Sequence, residues 1–352
     1  LTPEHYRTAD FDYDLPTELI AQEPLPDRGG SRLLVVRRSE PSSPAGGPSL
    51  RDARFADLPQ LVPAGDLVVL NTTRVRHARL LATRPSGRPA EVLLIHPGRE
   101  GTWIAMGQPG SALRPGKRVR LGDGEWVETL EVLEGGHRLV RFIGTTAEEA
   151  MDRYGKLPLP PYIHRDPTDL DERRYQTVYA EAEGSVAAPT AGLHFTPSLL
   201  ESLRSKEVAI EGLDLQVGPG TFKPVEVDDP AQHEMHPEGY QISPRLARRI
   251  TEIRAAGGRI WAVGTTVVRA LESAARPGGG IASGAGETRL MILPGYTFRV
   301  VDRLITNFHL PRSTLLMLVC AFAGRELALA AYHHAVAARY RFYSYGDAMV
   351  II

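Results

Sequence analysis

The chain has 352 residues, 42% of them hydrophobic and 24% charged. That balance excludes a largely disordered or collagen-like polypeptide and leaves room for about two domains. Lys and Arg number 41 against 42 Asp and Glu, a formal charge of −1, so there is no global polyelectrolyte signal for nucleic acid. A single cysteine, Cys320, rules out an intrachain disulfide, a four-cysteine zinc site and a CxxC pair. The longest strongly apolar run, 315–323, is too short for a bilayer crossing of about 20 residues. Residues 1–14 carry no basic n-region and no apolar h-region, so a cytoplasmic chain is the expectation.

Residues 39–49, SEPSSPAGGPS, are turn-rich, lack periodicity and read as a loop. Gly65-Asp66 then leads into LVVLN, a short buried-strand pattern. From 79 to 143 come ARLLAT, AEVLLI, TWIAMG, KRVRLG, WVETLEVL and HRLVRFIG, separated by Gly/Pro turns. Their spacing is that of a small β-barrel or sandwich. Charge in this region is uneven. Residues 71–120 hold ten basic side chains against Glu91 and Glu100, and residues 121–150 hold seven acids against Arg138 and Arg141. Outward charges pairing between neighbouring strands explain this more simply than a basic face for a phosphate backbone.

Beyond Glu148 the pattern changes. Thr196-Pro197 and Ser243-Pro244 each place a cap and an N1 proline before a helix, SLLESLRSKEV and RLARRITEIRAAG, and Gly257 stops the second. RIWAV reads as a strand, and Gly264-Thr265-Thr266 turns into the helix VVRALESAA. A Gly-rich loop at 276–287 precedes a strand-like RLMIL, and residues 311–340 carry two helical patterns. Strands alternating with helices predict a largely parallel sheet. The expected fold is a layered α/β sandwich domain from 1–74 and 151–352, with a small all-β barrel domain inserted at 75–150.

Four segments are dense in small, polar and aromatic residues. SVAAPTAGLHFT (185–196) lets backbone approach a ligand and carries His194, a proton donor or acceptor, although taken alone a tight turn before a capped helix, with His194 a satisfied structural residue, is slightly favoured. QVGPGTF (216–222) is followed by HEMHPE, with His233, His236 and Glu238. The HxxH spacing is not that of a helical HExxH metal site, so acid/base chemistry is favoured over a metal. WAVGTTVVRALE offers helix N-terminal N–H groups to an anion, and an ordinary capped βα turn explains it equally well. TNFHLPRSTLL (306–316) and YRFYSYGDAMVII (340–352) could stack bases, though a C-terminal aromatic cluster more often packs a core. No P-loop, dinucleotide fingerprint or GxSxG elbow is present.

Taken in order, these segments resemble one family over almost the whole chain. With them go FDYDLPTELIAQEPLPDRGGSRLLVV, GDLVVLNTTRV, LPLPPYI, ERRYQTVYA, HEMHPEGY, LPGYTFRVVDRLITNFHLPRSTLLMLV and AFAG. The family is the S-adenosylmethionine:tRNA ribosyltransferase-isomerases of the queuosine pathway. The resemblance implies an α/β domain carrying a small β-barrel. It implies transfer and isomerisation of the ribosyl moiety of S-adenosylmethionine onto 7-aminomethyl-7-deazaguanine at the tRNA wobble position. Epoxyqueuosine-tRNA is formed, and adenine and methionine leave. S-adenosylmethionine is then a consumed substrate, and neither a cofactor nor a metal is expected. The partners implied are tRNAs with a GUN anticodon; a monomer with no membrane association is expected. His194, His233, His236, Glu238 and Asp347 are the expected catalytic set. Thr190, Gly192, Gly218, Gly220, Thr265 and Thr266 are expected to line the S-adenosylmethionine site, and Arg28, Arg32, Arg74, Arg118 and Arg312 to meet tRNA. Gln216 stands where the family usually has His, Arg76-His77 at an Ile-Pro pair, Arg289 at an Asp and Cys320 at a Ser. A relative using another deazapurine acceptor, or a non-catalytic RNA-binding relative, fits the same residues.

Overall fold

The computed structural model describes residues 5–38, 49–218, 224–278 and 280–352. Most of the loop expected at 39–49 lies outside them; Ser49 itself opens a strand. The strands are β1 (Arg32–Arg37), β2 (Ser49–Arg54), β3 (Leu67–Asn71), β4 (Arg74–Val75), β5 (Arg79–Thr83), β6 (Pro89–Pro97), β7 (Trp103–Gln108), β8 (Arg118–Gly122) and β9 (Glu125–Val132). They continue as β10 (Arg138–Ile143), β11 (Gly155–Lys156), β12 (Glu183–Ser185), β13 (Ala209–Leu215), β14 (Glu238–Ile242), β15 (Ile260–Val263), β16 (Gly284–Thr288), β17 (Arg303–Asn307) and β18 (Ala348–Ile351). The helices are α1 (Leu58–Leu61), α2 (Ala147–Tyr154), α3 (Asp169–Arg174), α4 (Pro197–Ser205), α5 (Pro244–Ala255), α6 (Thr265–Ser273), α7 (Thr314–Ala323) and α8 (Arg325–Ala337).

Nine strands form the larger sheet in the order β16-β14-β13-β3-β15-β17-β18-β1-β2. β13, β3, β15 and β17 run parallel, whereas β14, β16, β2 and the β17–β18 pair are antiparallel. The sheet is therefore mixed, not largely parallel. Its central strands are apolar throughout because both faces are covered. Leu67, Val69, Ile260, Ala262 and Leu304 pack with α5–α8, and Val68, Leu70, Trp261, Val263 and Ile305 pack with α1 and α4. On α5 the buried residues are Leu246, Ile250 and Ile253, one face at helical spacing.

Seven strands form the second sheet, β11-β5-β6-β7-β10-β9-β8, and β8 returns to pair with β5 through Thr83 and Arg120. All six strands read between 79 and 143 are present. Leu80, Ala82, Val92, Leu94, Val119, Val127 and Val140 point to one core, which Ala147 and Ala150 of α2 help close. The uneven charges pair across strands. Glu128 lies opposite both Arg118 and Arg141 in register and bonds them at 3.1 and 2.6 Å. Glu91 holds Arg79 at 2.9 Å, and Glu125 holds Arg153 at 2.6 Å.

Two elements differ from expectation. The strand predicted at RLMIL falls earlier, at Gly284–Thr288, inside the Gly-rich stretch. Gly286 sits opposite Tyr240, and a Cβ there would strike that ring, so only a glycine-bearing strand can pair with β14. The C-terminal aromatic segment packs as core, with Tyr340, Phe342, Tyr343 and Tyr345 all buried, and then supplies β18 between β17 and β1. α7 and α8 bend by 116° between them, and among the described residues no single helix is long and apolar enough to cross a membrane.

One carboxylate aims β17 at the site. Glu272, near the end of α6 and 5% exposed, accepts the backbone N–H groups of Arg299, Val300 and Val301 at 2.9, 3.0 and 2.9 Å. Glu272→Gln removes the charge and sets an NH2 group against those donors. Urea unfolding should show a loss of about 2–3 kcal/mol; a loss under about 0.5 kcal/mol would mean water replaces the carboxylate.

Candidate active site

The C-terminal ends of parallel strands are where layered α/β sheets leave room for ligands. Val263 pairs with Ile305, so Gly264, Thr265 and Thr266 emerge beside Thr306 and Asn307. Gly264 has φ +92°, a conformation that lets β15 turn directly into α6. Thr190 approaches from a 3-10 turn over Thr190–His194. Together with Tyr162, Phe308, His309 and Tyr343 these residues border a cleft partly open to solvent. Among the described residues no Asp, Glu, Lys or Arg lines it. Burial pushes the His309 imidazole down to about 3, so that ring is neutral as well.

A second cleft adjoins the first, and Leu315 borders both. Its character is opposite. His233, His236, Glu238 and Gly218 line it with Arg269, and His96 and His137 enter from the seven-stranded sheet. Glu238, 5% exposed, accepts the Gly218 N–H at 3.1 Å through Oε1 and pairs through Oε2 with Arg269 Nη1. Arg269, 4% exposed, also donates Nε to the Leu290 carbonyl at 3.1 Å. Burial, then His236, lowers the His233 pKa below its ordinary value, against a smaller opposing pull from Glu226. His236 faces His137 with ring centres 5.4 Å apart. The turn before His137 comes close: Gly135 has φ +65°, and a Cβ there would lie 3.2 Å from His236 Cε1.

The structure places His194 elsewhere. It is 3% exposed and outside both linings. Nδ1 lies 2.8 Å from Ser31 Oγ and Nε2 lies 3.0 Å from Asn307 Nδ2. Asn307 Nδ2 also reaches the carbonyls of Tyr343 at 3.1 Å and Asp347 at 3.4 Å. Two carbonyls can only accept, so that end of the carboxamide is the NH2. His194 Nε2 therefore accepts, and the proton sits on Nδ1 facing Ser31. Burial, then Arg28, Arg174 and Arg341, pushes this imidazole down to about 3. Asp347, 2% exposed, accepts the backbone N–H groups of Arg32 and Arg341, each at 2.8 Å, and the Arg32 guanidinium at 3.3 Å.

Of the other expected ligand-lining residues, Thr190, Thr265 and Thr266 border the first cleft and Gly218 the second. Gly192 borders neither; a Cβ there would strike the Tyr179 hydroxyl. Gly220 lies outside the described residues. Gln216 is exposed, with its side chain against Gly184. The five arginines expected on tRNA all have protein partners. Arg28 donates to the carbonyls of Gln176, Leu193 and Arg173, and Arg74 to that of Ala180. Arg32 holds Asp347, Arg118 holds Glu128 and Arg312 grips Asp12. Among the described residues no three His, Cys, Asp or Glu side chains converge as metal ligands. Sequence reasoning missed Asn307, Arg269, His96 and His137. A lone Arg between apolar neighbours in VVRALE, and an Asn ending an apolar strand, were the available signals.

His194 and His309 set a pH dependence. Both imidazoles bind protons in the unfolded chain near pH 6.5 and in the folded chain only near pH 3. Stability is therefore full above about pH 6.5 and falls as pH drops toward 3, by up to about 1.4 kcal/mol per unit for each ring. Urea unfolding between pH 6 and 4 should lose about half of this histidine slope in His194→Gln. An unchanged slope would mean that His194 charges in the folded protein.

A family profile described as queuosine biosynthesis protein matches residues 8–351. The S-adenosylmethionine:tRNA ribosyltransferase-isomerase of Azoarcus sp. (strain BH72) is 51% identical over 343 residues, covering 97% of this chain and 96% of that protein. The protein of the same name from Symbiobacterium thermophilum is 49% identical over 350 residues, covering 98% and 100%. The crystal structure of an S-adenosylmethionine tRNA ribosyltransferase from Thermotoga maritima has a TM-score of 0.55 and 36% identity, covering 97% of this chain and 100% of that one. With matches that run nearly end to end, the chain belongs to the queuosine biosynthesis protein family.

Proposed function

We propose that the chain transfers and isomerises the ribosyl moiety of S-adenosylmethionine onto 7-aminomethyl-7-deazaguanine at the wobble position of tRNA, releasing adenine and methionine. The names of its relatives carry both substrates. The observation that carries the reading is the pair of adjoining clefts. One is uncharged and bordered by aromatic rings; the other gathers imidazoles, Glu238 and Arg269. A nucleobase suits the first, and proton transfers at a reacting ribose suit the second.

The sulfonium acidifies the adjacent 5′ C–H. His233, neutral at pH 7 because its pKa is lowered, is the base assigned to that proton. His236 is assigned to the proton that the attacking amine loses or the departing adenine takes. Glu238 holds Gly218 and Arg269 at the wall of the site. His194 and Asp347 act through Asn307 and the backbone, as positioning residues. S-adenosylmethionine is consumed as a substrate, and no cofactor or metal is assigned. Thr190, Gly192, Thr265, Thr266, Gly218 and Gly220 belong to its binding segments.

The seven-stranded sheet, closed through β5 and β8, fits a barrel inserted at 75–150 between 1–74 and 151–352. Gly155–Lys156 adds to it from beyond that boundary. For tRNA with a GUN anticodon, Arg118 and Arg312 are the favoured phosphate contacts, since their side chains are 52% and 54% exposed. Arg28, Arg32 and Arg74 are more committed to protein carbonyls or to Asp347. A monomer in the cytoplasm completes the reading.

Incubation with S-adenosylmethionine and tRNA carrying 7-aminomethyl-7-deazaguanine should yield free adenine and epoxyqueuosine by mass spectrometry. Folded protein that binds the tRNA and releases no adenine would overturn the reaction. His233→Gln should lower kcat at least about 100-fold, with a smaller change in KM. The wild-type acid limb should lie below pH 6.5, because a base with a lowered pKa keeps working as pH falls. Arg118→Ala should reduce the salt slope of tRNA binding by about one unit; an unchanged slope would remove Arg118 from the interface.

A further inference from the structure

We infer that Asn307 is a ligand-binding residue whose Oδ1 accepts a hydrogen bond from the exocyclic amine of a purine-like base in the uncharged cleft; this rests on the reaction proposed above. Asn307 ends β17, is 1% exposed and borders that cleft. Its NH2 is committed to Tyr343, Asp347 and His194, so the carboxamide cannot flip. Oδ1 is left buried with no partner. A buried acceptor without a donor costs free energy, and beside a cleft the donor comes from an ordered water or from a ligand that takes its place.

A second atom points to the same chemistry. Thr266 Oγ1, on a residue 8% exposed that borders the same cleft, also has no partner. A hydroxyl can donate where a carboxamide oxygen can only accept. A carboxamide acceptor and a hydroxyl donor on residues that border one cleft match an amine and a ring nitrogen, the amidine edge of adenine or of a deazaguanine. A carbonyl edge would meet Oδ1 with a second acceptor and be rejected. The aromatic rings of Tyr162, Phe308 and Tyr343 give the base apolar walls, and among the described residues no charged side chain borders the cleft to compete with these hydrogen bonds.

The chain has only two asparagines, Asn71 and Asn307. Asn71 is fully engaged, accepting from Thr73 and Leu215 and donating to Leu215, so it serves as an internal control. In protein labelled with carbon-13 at the asparagine carboxamide, two signals are expected, assigned with Asn71→Asp. Saturating S-adenosylmethionine, or an anticodon stem-loop with guanosine at the wobble position, should move the Asn307 signal downfield and leave Asn71 in place. Replacing the amine should abolish the shift and weaken binding about tenfold or more, in S-inosylmethionine for the first ligand or wobble inosine for the second. A shift with S-adenosylmethionine assigns the cleft to adenine, and a shift with the stem-loop assigns it to the acceptor base. No Asn307 shift with either ligand, or a shift that survives loss of the amine, overturns the inference. Adenine release measured on the same sample, with modified tRNA, shows separately whether the reaction itself stands.

Discussion

Two backbone carbonyls, of Tyr343 and Asp347, need a donor, and the Asn307 carboxamide supplies it. That demand fixes which end of the amide is nitrogen. The amide in turn fixes the His194 tautomer, and His194 fixes the orientation of Ser31. Asp347 is anchored separately by Arg32 and by the Arg341 N–H. The result is a buried polar chain that ends in one oxygen without a protein partner, on a residue that borders the cleft. In a low-dielectric setting each member raises the cost of misplacing the next. The cleft is consequently set by packing beneath it, not by the loops around its mouth.

The two clefts divide the chemical work by where their walls come from. Strand ends β15 and β17, with the opening of α6, give neutral hydroxyls, an amide and aromatic rings. The segment before β14 gives imidazoles, Glu238 at the start of β14 gives a carboxylate, and the seven-stranded sheet adds two imidazoles through β6 and the turn before β10. Among the described residues, charge is thereby confined to the second of the two clefts. Gly135 brings the two sheets within contact of one imidazole, which ties the geometry of the charged cleft to their mutual position.

Much of the fold was readable because its signals are local. Strands β5–β10 show period-two alternation between turns, and α4 and α5 announce themselves by a capping residue followed by proline. β16 was misplaced because its glycines answer to Tyr240, some 46 residues earlier in the chain. The segments around the site were readable, but the roles within them less so. His194 looks reactive in a loop of small residues, yet its burial depends on Ser31 and Asn307, 163 and 113 positions away. The excess of arginine was plain in the composition. Its partners were partly visible, as in Glu128 opposite Arg118, and partly hidden, as in the three carbonyls that Arg28 serves.

β18 lies between β17 and β1 in the finished sheet, and Arg32 meets Asp347 across 315 positions of sequence. Contacts of such span form late and slowly. During synthesis the first strand must wait, its apolar face uncovered by this neighbour, until nearly all of the described chain has emerged. Ser31, His194 and Asn307 are all made before Asp347, but the carbonyl that helps hold the carboxamide arrives only with it. Competence of the cleft therefore waits on the synthesis of Asp347, and nascent chains that stop short of it bear the cleft's parts without its order.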